Sequence, residues 1–142
     1  MHVPHHLWRR IGASLLLLLL FLGTVRADAP ITLAIRNDGS VALRCMVLFG
    51  HWITQDIGPI PPGGSARLSL WRSLPAGALY IPRFDGRQMM IENLICGSDD
   101  AWAETYDQIP LLPLRTGSGH GFRTDCSPAG RIACTPPLVT EP

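Results

Sequence analysis

From residue 31 the chain alternates apolar with polar or small side chains. Ile31, Leu33 and Ile35 stand against Thr32, Ala34 and Arg36, and then Val41, Leu43, Cys45, Val47 and Phe49 share one face of the next segment. A period of two predicts two half-buried strands. Between them, "NDGS" reads as a turn. A two-residue loop at Asp38-Gly39 would set Leu33 opposite Arg44. A loop of Asn37, Asp38 and Gly39, with Gly39 left-handed, sets Leu33 opposite Leu43 and Ile31 opposite Cys45, so that register is expected if the two strands pair.

Further strands follow at short intervals. "DIGPIPPGGS" is too rich in Pro and Gly for a central strand, and Pro62-Gly63 suits a type II turn. "ARLSLW" resumes the alternation, a short strand is expected over 78–82, and "FDGR" turns the chain into "QMMIENLIC", apolar on both sides except at Glu92 and Asn93. After Gly97 the pattern changes. "SDDAWAETYD" predicts a short helix start capped by Ser98 or Asp99, Pro110 and Pro113 are expected to stop helices, and "RTGSGHG" reads as a flexible loop. Phe122 to Thr135 predicts a disulfide-pinned hairpin. The fold class expected is therefore all-β, a small antiparallel β-sandwich of at most immunoglobulin-like architecture, with Cys45 to Cys96 bridging two sheets.

The N-terminus changes where such a domain is expected. Arg9 and Arg10, an apolar run from Ile11 to Leu22, and Val25 and Ala27 before the exit describe a secretory signal peptide, residues 1–27. The single β-rich domain is then 28–135, and 136–142 is a flexible tail. Membrane contact is expected only transiently, through the signal peptide, and the destination is the bacterial periplasm or the exterior. Cleavage would remove Arg9, Arg10 and Arg26 but no acid, taking the formal net charge from +1 to −2. A chain without a basic excess lacks the electrostatic footprint of a nucleic-acid binder. The four cysteines are even in number and bound for an oxidising compartment, so disulfides are expected. "CSPAGRIAC" favours Cys126 with Cys134, which leaves Cys45 with Cys96.

Candidate chemistry is sparse. "CMVLFGHW" sets Cys45, Met46 and His51 close in sequence, but on one strand Cys45 and His51 are roughly 20 Å apart and Met46 points to the other face. A metal role for His51 would need Met89, Met90 or His120, of which Met89 and Met90 face opposite sides of a regular strand. Thioether with imidazole would suit copper, the alternative to an expected absence of cofactors. Ser118 and His120, with Asp56 or Asp125, form a triad only on paper, so no enzyme is expected. Asp99, Asp100, Glu104 and Asp107 lack EF-hand spacing and read as a solvated helix start. Arg131-Ile132 in a disulfide-closed loop has the form of a protease-inhibitor loop, against the commoner role of a staple. The leading expectation is a non-enzymatic exported domain that works by binding an envelope or extracellular protein or as an envelope accessory, with Trp52, Trp71 and Arg131 as candidate contacts.

Overall fold

Ile31, Leu33 and Ile35 are buried on one face of β1 (Ala29–Asn37), and Leu43, Cys45, Val47 and Phe49 on one face of β2 (Leu43–Phe49). The computed structural model describes residues 28–129 and 131–141, so the signal peptide read at 1–27 lies outside the described residues. A short 3₁₀ turn (Gly50–Trp52) leads to β3 (Thr54–Ile60), followed by β4 (Ser65–Arg72), β5 (Leu79–Pro82) and β6 (Gln88–Ser98). Then come α1 (Trp102–Thr105), β7 (Asp107–Gln108), α2 (Leu112–Thr116), β8 (Gly121–Ala129), β9 (Arg131–Cys134) and β10 (Leu138–Glu141). The strands form one open sheet in the order β10-β8-β1-β4-β5-β6-β2-β3, with β7 added to β6 and β9 to β8.

The pairing corrects the expected antiparallel arrangement. β1 and β8 run parallel, Thr32 beside Gly121 through Asn37 beside Cys126, so the sheet is mixed. Parallel neighbours need a long crossover, and everything from β2 to α2 supplies it. β1 and β2 are not partners either. Leu33 lies opposite Leu68 and Ile31 opposite Leu70 on β4, while Cys45 lies opposite Cys96 on β6.

Asn37 explains why "NDGS" is a crossing and not a hairpin. Its side chain is fully buried; Nδ2 donates to Val41 O (2.8 Å) and Ile60 O (2.9 Å), and Oδ1 accepts from Gly39 N (2.9 Å). Its own N–H and C=O are bonded to Gly64 O and Gly63 N. The turn therefore ties β1 to the β3–β4 connection and sends β2 to the far part of the sheet. β6 joins the two parts: Gln88 to Met90 pair with β5, and Ile91 to Ser98 pair with β2. Apolar residues from both parts fill one cluster, including Leu33 and Leu70 from one and Val47, Phe49 and Leu94 from the other.

Several local expectations change. Pro113 sits in the first turn of α2 instead of ending a helix, because a first-turn residue has no intrahelical use for an N–H. The cap residue of α1 is Ala101, and Ser98 is still in β6, where its N–H is taken by Thr105 Oγ1 (2.9 Å). Residues 138–141, expected within a flexible tail, pair with β8 as β10.

The disulfides join Cys45 to Cys96 and Cys126 to Cys134, the pairing the spacing favours. Each spans directly opposed residues of neighbouring strands, with Cα atoms 4.1 and 4.0 Å apart. Cys45–Cys96 is thus a cross-strand link and not a bridge between facing sheets of the immunoglobulin kind. The two bonds are also close to each other: the sulfurs of Cys96, Cys126 and Cys134 lie within 4.8 Å of one another.

Candidate functional site

The 3₁₀ turn after β2 holds two side chains in backbone conformations that favour glycine. His51 has φ 65° and Trp52 φ 62°, and Phe49 N–H closes the turn on Ile53 O at 2.8 Å. A left-handed non-glycine residue costs of order 1 kcal/mol, and such strain concentrates at functional sites. The turn throws Trp52 outward with 91% of its surface exposed, followed by Ile53 at 49%.

A second turn, between β5 and β6, stands beside it. Gly86 at φ 79° allows the reversal, closed by Arg83 N–H to Arg87 O (2.8 Å) and Gly86 N–H to Arg83 O (3.0 Å). Phe84 at its tip is 98% exposed, with the Arg83 guanidinium 5.8 Å from the ring centre. Asp85 sits between Arg83 and Arg87. The two turns share a pocket of about 250 Å³ lined by His51, Ile53, Arg83, Met89 and Met90 among others. One end of the sheet thus presents Trp52, Ile53, Phe84 and Met90 as exposed apolar groups beside a cation.

Of the four residues considered for copper, His51, Met89 and Met90 line this one pocket. Met89 and Met90 face opposite ways in a regular strand, and Met89 packs against the core while Met90 is exposed, next to the register shift between Leu48 and Phe49 where β6 changes partner. His120 does not line it; its ring Nδ1 is 3.0 Å from Pro30 O. Cys45 is oxidised and in the core, so "CMVLFGHW" supplies no thiolate.

The other candidates are placed elsewhere. Trp71 is half-buried in β4, opposite Pro30 and Tyr80. Arg131 is exposed, but it belongs to the β8–β9 ladder, and the next residue, Ile132, is 1% exposed. A scissile-bond mimic must show both residues to a protease, and buried Ile132 does not. Asp125 is gripped by Arg123 at 2.9 and 3.2 Å, which holds its carboxyl below the usual range against the opposing effect of burial. Asp56 accepts from Gly58 N, so neither acid is engaged with His120. Within the acid cluster, Asp99 pairs with Arg44 at 3.1 Å. Asp100 binds the Ser98 hydroxyl, which lowers its pKa.

Sequence reasoning missed Phe84, Ile53 and Arg83. The readable signal was an aromatic inside the "FDGR" turn, where a Phe has no core to enter.

No protein-family model matches the chain, and no curated protein matches it.

Proposed function

We propose that this is an exported, non-enzymatic β-domain that binds another protein through the end of the sheet carrying Trp52, Ile53, Phe84 and Met90. The observation that carries this reading is Trp52, a large aromatic ring held almost wholly in water by a turn of unfavourable backbone conformation. Nothing in folding is gained by that placement, whereas an exposed, rigid aromatic is the usual anchor of a protein contact. The two disulfides support an oxidising destination, the periplasm or the exterior. The shared core of the two parts of the sheet supports a two-layer sandwich.

A pull-down from envelope extract tests the reading. The intact protein is expected to recover a reproducible partner, and Trp52→Ala to weaken that capture by at least about tenfold, as loss of a central aromatic does, with an unchanged melting temperature. No reproducible partner, or equal recovery by the variant, would reject this surface.

The shared pocket favours a second reading, a copper-binding protein using His51 with Met89 and Met90. Thioether sulfur and imidazole are the soft ligand set for Cu(I). Stoichiometric uptake of Cu(I), lost in His51→Ala, is its expected signature; no uptake by the intact protein removes it.

A further inference from the structure

Arg72, the last residue of β4, continues the inward-facing series Leu68, Leu70, Arg72 and is only 3% exposed. Its guanidinium donates to two carbonyls, Nη1 to Leu114 O at 3.0 Å and Nη2 to Gly119 O at a long 3.4 Å. Nε has no partner. A guanidinium carries five N–H donors, so more than half are unaccounted for. Among the described residues no carboxylate lies within ion-pair distance of it. Asp28, next to its cross-strand neighbour Ala29, is committed to the Tyr80 hydroxyl (2.7 Å) and Leu74 N (3.4 Å). A buried cation without a counter-charge is costly, and two carbonyl dipoles offset that only in part.

Arg72 is also one of the residues lining a cavity of about 500 Å³ between the β4–β5 loop and α2. A second cation, Arg115, is an exposed residue of the lining whose Nη2 donates to Ile91 O at a long 3.4 Å, and Leu74, Pro75 and Leu112 supply apolar wall. Leu112 is 68% exposed, an apolar side chain left in water beside the opening. No acid lines the cavity. Its walls are held together at Gly77, φ 69°, where a Cβ would come within 2.8 Å of Arg115 O. The volume is in the range of small-molecule sites, which combine apolar walls with a few placed polar groups.

We propose that this cavity binds a small organic carboxylate with an apolar body. Arg72 meets the carboxylate at the buried end, Arg115 adds charge at the rim, and Leu74, Pro75 and Leu112 cover the hydrocarbon portion. A single negative charge balances the buried guanidinium. Inorganic phosphate, with no apolar part and a larger hydration cost, fits these walls poorly.

The test is an amide NMR titration of the oxidised protein with octanoate, beside octanol and inorganic phosphate. Octanoate is expected to shift Ala76, Gly77 and Thr116 saturably, octanol and phosphate are not, and Arg115→Gln is expected to weaken octanoate about tenfold. Thermal melts add an independent arm: octanoate is expected to raise the melting temperature of the unmodified protein but not of Arg72→Met. If Arg72→Met does not fold, the Arg115→Gln titration decides. No saturable shift at millimolar octanoate, equal shifts with octanol, or equal shifts with phosphate would each overturn the proposal.

Discussion

Replacing Cys45 and Cys96 together by alanine is expected to cost about 4 kcal/mol, against about 2.5 kcal/mol for Cys126 and Cys134. The difference follows from chain length: the first bond joins residues 51 apart and the second residues 8 apart, so the first removes more freedom from the unfolded chain. It also falls where the fold most needs it. β2 and β6 are distant in sequence, and β6 is the strand through which the two parts of the sheet are continuous. A domain of this size is typically stable by about 5–15 kcal/mol, so losing the first bond removes a large part of the margin. Urea denaturation of the two double variants checks the ordering. Equal losses, or a greater loss at Cys126 and Cys134, would mean that the β2–β6 pairing holds without its crosslink.

Asn37→Ala is expected to cost about 3 kcal/mol, unusually much for a polar side chain in a turn. Three hydrogen bonds disappear, and the Ile60 carbonyl is left in a buried position without its donor. The side chain joins the end of β1 to Val41, in the loop just before β2, and to the end of β3, so its loss loosens the crossing that separates β1 from β2. Asn37→Asp keeps the acceptor for Gly39 but loses both donors and brings a charge into the core, and should be at least as damaging. Asp38→Ala, one residue on and exposed to solvent, should change stability by less than about 0.5 kcal/mol. A denaturation midpoint for Asn37→Ala close to that of Asp38→Ala would show that the buried amide contributes little.

The strands were legible where burial alternates, because the period of two records which side chains face the core. Ile31 to Ile35 and Leu43 to Phe49 behave as that pattern says, and the short spacing from Cys126 to Cys134 pointed to their bond. Strand partnership was not legible. A turn signal says that the chain bends, not whether it returns beside the strand it left, and the bonds that decide the question at Asn37 come from Ile60 and Gly64, far along the chain. The parallel β1–β8 contact is equally non-local. At the candidate contact end, His51 and Trp52 were visible as residues, but their left-handed backbone was not, since glycine usually takes that role. Arg72 was readable in principle: extending the alternation of Leu68 and Leu70 by one step places a cation on the apolar face.

The placement of β1 and β10 on either side of β8 also decides how this domain could be joined to other chains. Thr32 of β1 and the backbone of Glu141 of β10 both lie beside Gly121 of β8, one on each flank. The path into the sheet and the path out of it are therefore on the same side, two strand spacings or roughly 10 Å apart. A unit with that geometry can be spliced into a surface loop of a host protein as a guest, hanging from a narrow stem with neither sheet edge opened. The same stem suits fusion to a fluorescent or affinity partner at either end while Trp52 and Phe84 stay uncovered.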